Sequence, residues 1–150
     1  MLKIVPFKKE HIEQIETRYH FPDAAKVAFT SDDSMVAYTG MMGEKIFALG
    51  GVYQLWQGVA EAFFIMSSHA YDKPLTAAKY SRAMLDHIQE QNNYNRLQAS
   101  VSCNDEEAVR FIGWLGFENE GLMRKFGLDG TDYYRYARDR KSTRLNSSHS

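Results

Sequence analysis

Nine residues in the middle of the chain, Val59 to Ser67 (Val-Ala-Glu-Ala-Phe-Phe-Ile-Met-Ser), limit the fold more than any others. The run is short for a helix, and Phe63, Phe64, Ile65 and Met66 are apolar on both faces of an extended strand. Such a strand belongs in the centre of a sheet that is covered on both sides. The segment after it, from Pro74 or Thr76 to Gln91, places Leu75, Ala78, Leu85 and Ile88 on one helical face. Tyr94 to Ser102 then alternates, with Leu97, Ala99 and Val101 apolar. A strand, a helix and a strand in this order predict a parallel pair joined by a right-handed crossover.

The flanking segments supply antiparallel partners. Leu2 to Phe7 reads as a first strand and Lys8 to Tyr19 as an amphipathic helix with Ile12 and Ile15 inward. Phe21 to Ser31 allows a second short helix opened by Pro22. Met35 to Met41 and Lys45 to Gln54 are strands joined at Gly43, and Leu55 to Gly58 turns the chain into the apolar run. Gly50-Gly51 inside the second of these strands predicts a bulge or a close backbone approach. Asn104 or Asp105 caps a helix that buries Ala108, Phe111, Ile112 and Leu115 and stops at Gly116. Glu120 to Leu128 and Asp132 to Ala137 form a hairpin around Asp129-Gly130. The result is an α/β (α+β) fold: a mixed, mostly antiparallel sheet flanked by helices on both faces.

The chain has 150 residues, which suits one domain. Its formal net charge of -1 gives no electrostatic case for nucleic acid or an anionic membrane. Neither a signal peptide nor a transmembrane stretch is expected from the sequence. The single cysteine, Cys103, excludes an internal disulfide and fits a reducing compartment; the expected location is the cytoplasm. The five histidines show no metal-ligand spacing, and no metal is expected. Residues 139–150, Asp139 to Ser150, have no periodicity and resemble the in-frame translation of a common sequencing-library adapter. The folded domain is therefore expected over residues 1–138, with about -3 of charge by the same count.

Four stretches then carry a family resemblance. Asp105-Glu-Glu-Ala-Val-Arg-Phe-Ile-Gly-Trp-Leu-Gly-Phe-Glu-Asn-Glu-Gly121 resembles the second cofactor-side motif of the GNAT N-acetyltransferases, and Asp129-Gly-Thr-Asp-Tyr-Tyr-Arg-Tyr136 resembles their closing strand. The order of elements over residues 2 to 138 is similar to theirs. Leu55-Trp-Gln-Gly-Val-Ala-Glu-Ala-Phe-Phe-Ile-Met-Ser-Ser68, with Arg96-Leu-Gln-Ala-Ser-Val101, looks like the GNAT-like proteins of tailed bacteriophages and prophages.

The resemblance implies the GNAT acyl-CoA N-acyltransferase fold, acetyl-CoA as co-substrate and an amine as acceptor. It places the pantetheine arm against the backbone of Ile65, Met66 and Ser67, and puts Asn104 on the cofactor side. It gives Glu61 the place of a general base. Its neighbours Phe63 and Trp56 suggest apolar surroundings, which favour a carboxylate that takes up a proton. The alternative for Glu61 is a solvated or salt-bridged strand residue.

Two departures from the family pattern stand out. The diphosphate loop of the family is rich in glycine; here the stretch is Asp72-Lys-Pro-Leu-Thr-Ala-Ala-Lys-Tyr-Ser-Arg82, with none. Side-chain charge from Lys73, Lys79 and Arg82 would have to replace backbone contacts there. The tyrosine that usually protonates the departing thiolate is replaced by Ile112, leaving Tyr133, Tyr134 and Tyr136 as stand-ins. The enzyme reading thus competes with a non-catalytic one, a phage virion component or a protein that engages host proteins against restriction. In that case the location is the bacterial host cell or the virion. Cys103, Trp56 and Trp114 are expected to be packing residues.

Overall fold

A computed structural model describes residues 2–17 and 35–140. The short helix expected over Phe21 to Ser31 lies outside the described residues, as do residues 141–150.

Seven strands form one sheet: β1 (Leu2–Pro6), β2 (Met35–Met42), β3 (Lys45–Trp56), β4 (Val59–Met66), β5 (Arg96–Ser102), β6 (Glu118–Met123) and β7 (Tyr133–Asp139). Among the described residues, four helices accompany them: α1 (Glu10–Gln14), α2 (Ser68–Tyr71), α3 (Pro74–Asn92) and α4 (Glu106–Trp114). The strand order is β1-β2-β3-β4-β5-β7-β6. All neighbours are antiparallel except β4 and β5, which are parallel and joined through α3. The apolar run of β4 thus takes the central place its composition demands.

Each face of the sheet has its own core. Leu85 and Ile88 of α3 and Phe111, Ile112 and Leu115 of α4 pack with Leu97, Ala99 and Val101 of β5. On the opposite face Ile12 and Ile15 meet Ile46, Leu49 and Ile65. Leu75 departs from expectation: it is exposed in the first turn of α3, beside Pro74, and does not continue the apolar stripe.

Local chemistry sets the boundaries. Asp105 caps α4 by accepting from the Ala108 amide at 3.0 Å, and Gly116 leaves the helix with φ of 90°. Gly50-Gly51 proves to be a close approach, since a Cβ on Gly51 would stand 2.3 Å from the Val36 carbonyl oxygen. The first helix is shorter than its periodicity suggests, because the backbone turns extended at Ile15. The last hairpin also differs. β6 ends at Met123, and a nine-residue loop follows in which Asp132 accepts from the Lys125 amide and Asp129 from the Thr131 amide. Those side-chain bonds replace ladder bonds that a tight Asp-Gly turn would have kept.

The chain end differs as well. Asp139, expected to open the tail, pairs with Arg96 in the sheet, and the Arg140 amide donates to the Asn95 carbonyl at 2.9 Å. Arg138 is buried; it ion-pairs with Asp86 and donates to Gln89, both on α3.

Candidate active site

The parallel pair β4–β5 is joined only at Val59–Arg96, Ala60–Leu97 and Glu61–Gln98. Beyond Glu61 the strands part, although β4 remains paired with β3 and β5 with β7. A cavity of about 410 Å³ opens in the gap. Ala62, Phe63, Phe64 and Met66 form one wall and Ala99 to Ser102 the other. Tyr71 at the end of α2, Pro74 at the start of α3, and Glu107, Arg110 and Trp114 of α4 also line it. The volume is that of a small-molecule site, and its inner walls are backbone edges and apolar side chains.

Glu61 sits where the strands diverge. Its carboxylate accepts from Arg135 Nη1 at 3.0 and 3.2 Å, from Gln98 Nε2 at 3.1 Å and from Ser100 Oγ at 3.4 Å. Its side chain is 14% exposed and that of Arg135 23%. The surroundings are polar, unlike the apolar setting suggested by sequence neighbours. Trp56 is turned to solvent at the end of the β3–β4 hairpin, opposite Val59 rather than Glu61. Phe63 is directed to Tyr53, with which it stacks at 6.0 Å. Burial pushes the Tyr53 phenol up; the Glu61 charge adds to this and Arg135 opposes it. Ser100 lines the cavity and touches Glu61, so one hydroxyl separates the carboxylate from the gap.

The chain of contacts extends along the sheet. Gln98 accepts from Arg96 Nε at 3.2 Å, and Arg96 forms a two-pronged pair with Glu120 at 2.7 and 3.0 Å. That pairing holds the Glu120 carboxyl below its usual range.

The other expected residues are distributed as follows. Met66 lines the cavity, whereas Ile65 turns into the apolar cluster under α1. Ser67 is fully buried; its amide donates to the Phe47 carbonyl, and its hydroxyl accepts from Ala70 to cap α2. Asn104 lies in the exposed turn before α4, with its amide donating to Ser102 Oγ at 3.3 Å. Lys73 lines a separate cavity of about 200 Å³ with His69, Asp72 and Lys45. Lys79 rests 5.9 Å from the Tyr80 ring centre. Arg82 donates to the Trp114 carbonyl at 3.1 Å, tying α3 to α4 at the cavity rim.

The segment between β4 and α3 is also chemically occupied. The amides of Ser68, Ala70, Asp72 and Lys73 donate to carbonyl oxygens of Glu16, Ser67, His69 and Ala70 respectively. The α2 turn uses these donors internally, where a glycine loop would aim amides at a diphosphate.

Sequence reasoning missed Arg110, Arg135, Gln98 and Ser100. Alternation in β5 was the available signal for the last two: with Leu97, Ala99 and Val101 inward, Gln98 and Ser100 must share the other face with Glu61. Of the stand-in tyrosines, Tyr133 lines the cavity, Tyr136 is buried in the core, and Tyr134 packs against that core beside Cys103. The charge of Cys103 and a hydrogen bond to it push the Tyr134 phenol up. Cys103 is half-buried rather than enclosed. Ile112 is buried and lines the cavity with an inert side chain.

Solved structures share this architecture. The ribosomal-protein-S18-alanine N-acetyltransferase from Escherichia coli is 17% identical with a TM-score of 0.72, over 95% of this chain and 96% of its own. Ard1 from Thermoplasma volcanium is 13% identical with a TM-score of 0.74, over 94% and 99%. An acetyltransferase of the GNAT family from Streptococcus pneumoniae is 14% identical with a TM-score of 0.70, over 94% and 100%. The chain therefore has the GNAT N-acetyltransferase fold. No family model and no curated protein matches its sequence. Among the described residues, no helix is long and apolar enough to cross a membrane, and no three His, Cys, Asp or Glu side chains are grouped to hold a metal ion.

Proposed function

We propose that the protein is an N-acetyltransferase that takes its acetyl group from acetyl-CoA and delivers it to a small amine. The observation that carries the reading is the parting of β4 and β5 immediately after Glu61, with a cavity in the gap and a carboxylate at its apex. The cavity fits a pantetheine arm: its walls offer strand edges from Ala62 to Met66 and Ala99 to Ser102, and Arg110 supplies a cation for a phosphate. Bound there, acetyl-CoA supplies an acetyl group activated as a thioester.

Glu61 takes a proton from the amine, with Gln98 and Ser100 fixing the orientation of its carboxylate. Tyr133 is the phenol placed to return a proton to the departing sulfur. The experiment is calorimetry with acetyl-CoA, then turnover with amines. Glu61→Gln should leave binding unchanged and slow turnover by about a hundredfold or more. No heat at millimolar acetyl-CoA would overturn the reading.

The second reading is a GNAT-fold phage protein without catalysis, a virion component or a partner of host proteins. It is favoured by the α2 turn, which uses the Ser68, Ala70, Asp72 and Lys73 amides, and by Ile112. Acetylation of any amine by the purified protein would exclude it.

A further inference from the structure

The pairing of Glu61 with Arg135 bears on which amine is accepted. A base that takes a proton becomes neutral. When Glu61 does so, the Arg135 guanidinium, 3.0 Å away and largely buried, loses its counter-charge. The Arg96 cation next along the sheet is already matched by Glu120. Glu120 also acts on Arg135 from further off, but the step removes the direct partner of this cation, which is costly where water is partly excluded. An acceptor that brings its own anionic group removes that cost.

Geometry offers it a place. Both contacts from Arg135 to Glu61 use Nη1 alone, and a guanidinium carries further donors on Nη2 and Nε in the same plane. A carboxylate meets such a fork with two parallel bonds. Two residues from Arg135 along β7, Tyr133 faces the cavity, so the cation and the gap are adjacent. Of the carboxylates beside this cation, Glu61 and Glu120 are each already paired with an arginine, so neither is a free anion for a polyamine.

Resting on the acetyltransferase reading, we infer that the acceptor is a small zwitterion of the α-amino-acid type, its amine meeting Glu61 and its carboxylate meeting Arg135. As the N–C bond forms and the C–S bond breaks, the amine proton passes to Glu61 and the leaving thiolate takes a proton from Tyr133 or water. Arg135 then exchanges one carboxylate, that of Glu61, for another on the substrate. It is a specificity-determining residue and takes no part in the proton transfer.

The test is a matched panel: several α-amino acids, each compared with its methyl ester and with the amine lacking the carboxyl group, turned over by the full chain with acetyl-CoA. The free acids should exceed both partners in kcat/KM by tenfold or more. Arg135→Gln should abolish the advantage of the acids over their esters, read as the acid-to-ester ratio of kcat/KM within the variant, whatever the loss of this Glu61 partner does to the turnover of both. Esters or simple amines used as well as the acids by the unaltered protein would overturn the inference while leaving acetyl transfer intact. Polyamine turnover that exceeds every acid would do the same. Absence of acetyl-CoA binding would overturn both, and calorimetry separates that outcome from the others.

Discussion

The two faces of β5 are made by alternate residues of one seven-residue strand, and they do different work. Leu97, Ala99 and Val101 are buried against α3 and α4. Gln98 and Ser100 hold a half-buried carboxylate, and Arg96 extends the chain of bonds to β6. Non-directional burial holds the first face, so it contributes to stability in proportion to area. Aimed hydrogen bonds hold the second, each adding little to net stability but fixing where charge resides. Stability and chemistry should thus separate by residue parity.

The sharpest break in that comparison is Leu97→Ala against Gln98→Ala. Leu97 is fully enclosed, so its truncation should cost about 2–5 kcal/mol in urea unfolding. Gln98→Ala should cost about 1 kcal/mol or less while lowering turnover. Equal losses of stability would mean that the polar face is a second core.

Next in size is Gly116→Val, on the route from α4 into β6. Its φ of 90° strains a β-branched residue whatever the surrounding space. A loss of about 1–3 kcal/mol is expected, read as a lower urea midpoint with cofactor affinity per folded molecule unchanged.

Cofactor binding probes the wall of the gap. Arg110→Ala should weaken acetyl-CoA binding by about 1–2 kcal/mol and flatten its dependence on salt. Lys79→Ala should change neither, since Lys79 lies against Tyr80 outside the cavity. The reverse ranking would move the phosphates from α4 to α3.

The smallest effect concerns acid. His11 Nδ1 accepts from the Lys8 amide at 3.1 Å and lies 2.7 Å from the buried Thr39 hydroxyl, so protonating Nδ1 breaks the Lys8 bond and forces the Thr39 hydroxyl to act as acceptor. Burial, helped by Lys8 and opposed by Glu10, holds the His11 pKa below 6.5. A depressed native pKa contributes stability that is present above the unfolded value and is lost as pH falls from 6.5 toward the native one. Urea midpoints should therefore decline across that window, and the decline should be smaller in Thr39→Val.

The chain order of the elements and the parallel β4–β5 pair were legible because they rest on periodicity. The run from Phe63 to Met66 fixed a central strand, and the stop at Gly116 has a local cause in positive φ. The site was only half legible. Glu61 was singled out, but the residues it bonds, Gln98, Ser100 and Arg135, lie 37, 39 and 74 residues away, and only the pairing of β4, β5 and β7 unites them. Charges on α3 misled for a similar reason. Lys73, Lys79 and Arg82 read as a phosphate grip in a linear stretch, and none of them lines this cavity; among the described residues the cation that does is Arg110, on α4. The long loop after β6 was hidden because its shape depends on side chains of Asp129 and Asp132, while the Asp-Gly signal suggested a tight turn.

The order β5-β7-β6 also has a consequence for how the chain comes into being. β7 follows β6 in the chain but does not take the edge; it slots between two strands made earlier, pairing with both. Until Tyr133 to Asp139 have left the ribosome, β6 has no neighbour and the outer edge of β5 stays open. Arg138, which ties the sheet to α3, arrives with that strand. Two strand edges therefore stay bare until β7 is made.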